Sequence, residues 1–336
     1  MDLVNRQFRL AARPVGLPKD GDWELTEGPV PDPAEGQVVV RTSYISLDAA
    51  MRGWMSSRRS YITPVEVGDV MRALAAGEVV ASEHAGFAVG DSVTGLLGVQ
   101  EYALAHGGEL RPVDTSLAPL SVYLGALGMP GMTAYLGMLD IGRPEAGDTV
   151  VVSGAAGAVG GMAGQIAKLR GARVVGVAGG PEKCGYLCDE LGFDAAIDYK
   201  GEDVGSALRE LCPRGIDVFF DNVGGAVLDA ALVRLARYAR VVICGGISQY
   251  NAVDAIEGPS NYLALIGTHA TITGFVVSDY ADRYSEGGRE MAGWLASGKL
   301  TSREHLVRGF EAFPEALLGL FAGVNTGKLL LDLTQG

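Results

Sequence analysis

Between Asp148 and Gly171 the chain reads DTVVVSGAAGAVGGMAGQIAKLRG, a run whose residue types suit the binding of a dinucleotide. Thr149, Val150, Val151 and Val152 make the short, β-branched apolar run of a buried strand. Ala155, Ala156, Gly157, Ala158, Val159 and Gly160 follow, and then Met162, Ile166 and Leu169 recur at helical spacing. Strand, glycine turn and helix in that order give a glycine pattern its meaning. Gly157 and Gly160 stand where the second and third glycines of the dinucleotide fingerprint belong, with Ala155 at the first. A missing or minimal side chain lets the backbone approach a pyrophosphate, and the helix N-terminus supplies amide donors and partial positive charge.

The end of the next strand selects between the two nicotinamide cofactors. An NAD site places Asp or Glu about 20 residues after the glycine turn, to hold the ribose hydroxyls. Here the chain reads Val177-Ala178-Gly179-Gly180-Pro181-Glu182-Lys183, and no acid ends the strand. Lys183 is a cation of the kind a 2′-phosphate needs, and Tyr199 and Lys200 can flank the same phosphate. NADPH is the expected cofactor.

The elements that must position these residues are legible along the chain. Its 336 residues are enough for two domains, and 48% of them are hydrophobic. A net charge of −13 argues against nucleic acid or an anionic membrane as partner. The start, MDLVNRQFRL, has no apolar signal-like run, which predicts a cytoplasmic protein. Two long uncharged stretches, Thr115 to Leu139 and the one bracketed by Glu257 and Asp279, carry prolines, glycines or polar residues and read as buried segments of a water-soluble fold. Of the four cysteines, Cys184 and Cys188 are one helical turn apart, but no second pair completes a metal site with them or with Cys212 and Cys244. His84 and His106 also stand alone, so no metal is expected.

Residues 1 to about 120 alternate short β-rich runs with turns, such as Gln37 to Thr42, Gly77 to Val80 and Gly90 to Val93. This predicts a compact, mostly β domain. From residue 121 to about 302 strands alternate with helical patterns. The predicted strands are Thr149 to Val152, Arg173 to Val177, Ala195 to Ile197, Asp217 to Phe220, Arg240 to Cys244 and Thr271 to Val277. That rhythm implies right-handed crossovers and a doubly wound parallel sheet, an α/β fold. The tail from about 303 to 336 holds a helix and the apolar strand Leu329-Leu330-Leu331, and is expected to complete the first domain.

Motifs along nearly the whole length resemble those of one family. They are Ser46-Leu47-Asp48 with Met51-Arg52-Gly53, PVEVG at 64, LGMPGMTAYLGMLDIG at 127, AAGAVG at 155, AGGPEKC at 178, DAAIDYK at 194, DNVGG at 221, CGGISQYN at 244 and GVNTGK at 323. The chain resembles the zinc-free medium-chain dehydrogenases/reductases, and within them the prostaglandin reductase and alkenal double-bond reductase branch. The resemblance implies a GroES-like catalytic domain with a Rossmann domain, NADPH, and reduction of a carbon–carbon double bond conjugated to a carbonyl. Carried over by position, Ala155 to Gly160 line the pyrophosphate, and Lys183 and Tyr199 meet the 2′-phosphate region. Asn222, Cys244, Gly245, Gly246, Ile247, Ser248, Tyr250, Phe275, Val276 and Asn325 complete the cofactor cleft, and Met129 and Thr133 approach the nicotinamide. It also implies a homodimer through Thr271 to Val277, whose exposed apolar edge would otherwise invite aggregation.

Hydride delivered to the β-carbon leaves negative charge on the substrate's carbonyl oxygen, so the chemistry asks for a neutral hydroxyl donor there. Tyr250 is the first candidate and Tyr61 the second; the alternative for each is a half-buried tyrosine that closes the cleft by packing. Two departures stand out. The family's usual Leu-Asp-Pro-Tyr-Met-Arg is here Leu47-Asp48-Ala49-Ala50-Met51-Arg52, and the aromatic of Trp-Gln-Glu-Tyr is Val99. Loss of both aromatics predicts a more open pocket with one possible hydroxyl donor fewer, and a substrate bulkier than or different from a simple alkenal. A quinone reductase is the nearest rival reading, and a non-catalytic NADPH-binding sensor is the rival from another class.

Overall fold

The computed structural model describes residues 3–58 and 60–334. The chain forms two compact units, Met1–Leu124 with Glu304–Gly336, and Gly125–Arg303.

The first unit is mostly β. Strands β1 (Val4–Leu10) and β2 (Trp23–Pro29) pair antiparallel. Then come β3 (Gln37–Ser46), the short helix α1 (Met51–Trp54), β4 (Ala75–Ser82), β5 (Ser92–Gly95), β6 (Tyr102–His106) and β7 (Arg111–Pro112).

In the second unit α2 (Met129–Leu136) runs into a wider π turn over Gly137–Gly142. The βα series follows: β8 (Thr149–Ser153), α3 (Ala158–Leu169), β9 (Arg173–Ala178), α4 (Pro181–Asp189), β10 (Ala195–Asp198), α5 (Val204–Leu211), β11 (Ile216–Asp221), α6 (Gly225–Leu232), β12 (Leu235–Ile243), α7 (Ala264–Thr268), β13 (Thr271–Gly274) and α8 (Tyr284–Ala296). The tail supplies β14 (Glu304–Arg308), α9 (Phe313–Ala322) and β15 (Lys328–Asp332) to the first unit.

In that unit the sheet order is β14-β15-β3-β4-β5-β7, with β6 also paired to β3. Alternate residues of β3 and β4 enter a core that the tail helps to fill, with Phe8 5.1 Å from Phe310 and 5.2 Å from Phe313, ring centre to ring centre. Rings of this size each contribute roughly 1.5–3 kcal/mol by leaving water. Below α1, Lys328 and Asp48 form an ion pair at 2.9 Å with both side chains almost wholly covered. Asp48 also accepts from the Ser46 hydroxyl, and its carbonyl accepts the Met51 amide, so the pair fixes the start of α1. Removing one partner of such a pair costs about 3–5 kcal/mol, because a buried charge is left alone.

The second sheet is parallel throughout, in the order β10-β9-β8-β11-β12-β13. Numbered from β8, this is 3-2-1-4-5-6, so the strand order reverses between β8 and β11 and the ligand crevice lies at their carboxyl ends. Every residue of β8 is buried, as a central strand covered on both faces requires.

Three expectations need correction. The last strand ends at Gly274, and Phe275 and Val276 lie in the turn before a 3₁₀ segment that starts at Val277. Strand β12 begins at Leu235, five residues before the predicted Arg240, because α6 stops at Leu232. Leu232 and Leu235 are three residues apart, a helical spacing that carries the helical pattern across the boundary and hides it. The stretch bracketed by Glu257 and Asp279, expected to be buried, holds no buried residue and is only half-buried or exposed. Among the described residues no helix is long and apolar enough to cross a membrane.

Candidate cofactor and active site

Strand β8 ends in Ser153 and turns at Gly154, which has a left-handed φ of 57°. The tight turn is therefore taken one residue before Ala155, which is fully buried and donates its amide to Val177 at the end of β9. Gly157 is the residue before α3 and caps it with no side-chain bond, so the first amides of the helix point out without a side-chain partner from that position. Gly160 admits no side chain. A Cβ built there would lie 2.4 Å from the Gly154 carbonyl oxygen and 2.8 Å from the Ala155 Cα, both backbone atoms. Helix and turn thus approach as closely as a pyrophosphate cradle requires, and the residues present fit that group.

The end of β9 presents Gly179 and Gly180 beside Tyr199. A Cβ on Gly179 would meet the Tyr199 ring at 2.9 Å, so the ring covers this turn. Asp198 accepts from the Gly180 and Lys200 amides at 2.7 and 3.0 Å, which commits its carboxylate to backbone. The Lys183 ammonium is held below its ordinary pKa, first by burial and then by the positive Lys200, with Glu182 acting the other way. Two cations this close are an arrangement that a dianion relieves, and a 2′-phosphate is one.

At the carboxyl end of β11, the Asn222 side-chain amide donates to the Ser153 carbonyl at 2.7 Å, and the Asn222 main-chain carbonyl accepts the Ile247 amide. The loop after β12 runs through Cys244, Gly245, Gly246, Ile247 and Ser248 to Tyr250. Ser248 donates both amide and hydroxyl to the Val223 carbonyl. Tyr250 folds back over this loop, and its phenol oxygen accepts the Gly246 amide at 3.1 Å. A phenol is both a donor and an acceptor, and this bond uses its oxygen as the acceptor. Burial pushes the Cys244 thiol up to about 12, with the Asp221 carboxylate adding to it, so Cys244 stays protonated near neutrality and is not a thiolate nucleophile.

Other expected site residues are placed as follows. Thr133 turns its hydroxyl onto its own helix and donates to the Met129 carbonyl at 2.7 Å; both side chains are half-buried. The Phe275 ring packs toward Gly137, where an added Cβ would meet it at 2.7 Å, and lies edge-on to Tyr280. Phe275 and Val276 are both half-buried. In the first unit, Asn325 is buried and donates to the Gly327 carbonyl. Tyr61 is 62% exposed, and its oxygen accepts the Trp54 indole N–H at 3.3 Å. Val99, expected to open the pocket, is fully buried in the β core and opens nothing; Ala50 is half-buried against the same core. The expectation of two lost aromatics therefore reduces to Ala50. Among the described residues no three His, Cys, Asp or Glu side chains group to hold a metal ion.

Residues 6–113 match the family described as the N-terminal domain of oxidoreductase, and residues 158–293 the one described as zinc-binding dehydrogenase. The chain is 43% identical over 332 residues to the NADPH-dependent curcumin reductase of Escherichia coli, covering 97% of this chain and 96% of that protein. It is 39% identical over 341 residues to the 2-alkenal reductase (NADP(+)-dependent) of Nicotiana tabacum, covering 99% of each. The crystal structure of CurA in complex with NADPH from Vibrio vulnificus shares 46% identity at a TM-score of 0.93, over 98% of this chain and 100% of that one. This chain belongs to the zinc-free medium-chain dehydrogenases/reductases. It is an NADPH-dependent oxidoreductase with the GroES-like and Rossmann domains of that family. Sequence reasoning missed the buried bond of the Ser153 hydroxyl to the Asp221 carboxylate, which also accepts the Val223 and Gly224 amides; the signal was a carboxylate ending an apolar strand before paired glycines, Val218 to Gly225.

Proposed function

We propose that the reductase reduces the carbon–carbon double bond of α,β-unsaturated carbonyl compounds, and that its cofactor and substrate residues are those assigned above. The observation that carries the reading is the Tyr250 phenol, a neutral donor whose oxygen is anchored by the Gly246 amide in the loop after β12. The enone-like and enal-like substrates in the names of the relatives support it. When bound, NADPH supplies the hydride.

The chain's own residues then have distinct tasks. The turn from Ala155 to Gly160 and the N-terminus of α3 bind the pyrophosphate, while Lys183, Lys200 and Tyr199 bind the 2′-phosphate. Asn222, the loop from Cys244 to Ser248, Met129 and Thr133 line the nicotinamide side. Tyr250 donates to the carbonyl oxygen as negative charge grows there, where a preorganised donor is worth most. The α-carbon takes up a proton. Tyr61, its oxygen likewise loaded by an N–H, is the second hydroxyl donor, and Ala50 leaves room for a bulky substituent.

The reaction type is tested by proton NMR of the product from an acyclic enone and NADPH. A saturated ketone with its carbonyl intact is expected; an allylic alcohol would contradict the proposal.

Lys183→Ala should raise the NADPH Michaelis constant about tenfold, as expected for loss of a charged hydrogen bond, and leave that for NADH nearly unchanged. An equal effect on both cofactors would remove Lys183 from the phosphate site. The preference has a pH sign. Only the charged ammonium binds phosphate, and burial and Lys200 make that charge easier to lose. The preference for NADPH should therefore narrow as pH rises, sooner than an ordinary lysine would allow, and Kd measurements across the alkaline range check this.

We also propose a cytoplasmic homodimer. The cysteines are free thiols, and all four residues of β13 are exposed at the open edge of the second sheet. Pairing of two such edges would cover them. Light scattering should give twice the chain mass, and a monomer at micromolar concentration would remove the dimer.

A further inference from the structure

We propose that Asp221 is a positioning residue whose buried carboxylate fixes the turns after β8 and β11, while its main-chain carbonyl starts the loop that leads to Tyr250. The role rests on the NADPH reading above. Asp221 ends the central strand β11 and is fully buried, so it acts only through its neighbours. One carboxylate oxygen accepts the Ser153 hydroxyl at 2.6 Å, which grips the last residue before the pyrophosphate turn. The same oxygen accepts the Val223 amide at 3.0 Å, and both oxygens accept the Gly224 amide at 3.1 Å. The Asp221 carbonyl accepts the Cys244 and Gly245 amides at 2.8 and 3.1 Å, which starts the loop that ends at Tyr250.

The geometry is built for a charge. Burial pushes the carboxyl above its ordinary pKa, and the hydroxyl and two amides oppose that. Gly224 and Gly225 take left-handed φ values of 70° and 56°, which turns the chain back so that its amides face the carboxylate. Ser153 is shared, because its oxygen also accepts the Asn222 amide at 2.9 Å. The turn after β8 thus hangs on the side chain of Asp221, and the Tyr250 loop on its backbone and on Asn222 and Val223.

This division gives a signature that separates Asp221 from the residues it holds. In Asp221→Asn an NH₂ replaces an accepting oxygen and faces the Gly224 amide, so the Val223–Gly225 turn shifts. NADPH affinity and turnover should then fall together. Ser153→Ala removes the hydroxyl that ties the pyrophosphate turn to the Asp221 carboxylate, and with it the acceptor of the Asn222 amide, while the carboxylate keeps the Val223 and Gly224 amides. It should raise the NADPH Kd about tenfold, with the change in Kd exceeding the change in kcat.

The experiment is direct titration of purified full-length variants with NADPH, read by nucleotide fluorescence, beside thermal melting and kcat at saturating cofactor. If Asp221→Asn does not fold, Ser153→Ala alone decides. A Kd for Ser153→Ala within twofold of the unsubstituted chain would overturn the positioning role, as would a lower melting temperature with Kd and kcat both unmoved. No NADPH binding by the unsubstituted chain would instead overturn the cofactor reading beneath it.

Discussion

Tyr250→Phe should lower kcat about a hundredfold or more while the NADPH Kd stays within about twofold, since loss of one preorganised donor to a developing oxyanion costs 10²–10³ in rate. The substitution removes one oxygen and keeps the ring. It leaves the Gly246 amide without its acceptor, but the loop keeps the bonds from Ile247 to Asn222, from Ser248 to Val223 and from Gln249 to Gly246. Its course therefore survives, and the loss is chemical. Tyr61→Phe, which removes the acceptor of the Trp54 indole, is the companion variant. If Tyr61→Phe lowered kcat and Tyr250→Phe did not, the hydroxyl donor would be Tyr61.

Gly160→Ala should weaken NADPH binding between about tenfold and a hundredfold. The new Cβ would collide with the Gly154 carbonyl and the Ala155 Cα. Neither is the end of a flexible side chain, so turn or helix must move, and overpacking of this kind costs about 1–3 kcal/mol. A moved turn no longer aims the first amides of α3 at the pyrophosphate. Gly288→Ala in α8 is the control, because nothing lies within 4 Å of a Cβ built there. Fluorescence titration measures both, and wild-type affinity in Gly160→Ala would show that this turn does not hold the pyrophosphate.

The parts of the fold that were legible are those where one physical demand dominates. A strand buried on both faces must be apolar along its length, and Thr149 to Val152 shows it. The helix after it must pack close, and Gly160 and Gly164 show that; a Cβ on Gly164 would lie 1.9 Å from the Phe193 ring. Where a helical spacing runs on past the end of the helix the boundary is hidden, as at Leu232 and Leu235. The π turn over Gly137–Gly142 has no periodicity of its own and follows from rings packing at Gly137.

For the site, Lys183 and Tyr250 were visible as chemistry-bearing types next to strand ends. Asp221 is not legible in this way, because its hydrogen-bond partner Ser153 lies 68 residues earlier in the chain. Val99 misled for the related reason that a position's role depends on which face of the chain is covered, and here the core covers it.

The most direct test of the central claim is NADPH consumption against a panel of enals, aryl and cyclic enones, and quinones, with NADH run in parallel. Saturable turnover on enones or enals, with NADPH preferred, is the expected result, and the panel would then define the substituent that Ala50 admits. Turnover confined to quinones, or tight NADPH binding with no turnover on any conjugated carbonyl, would contradict it.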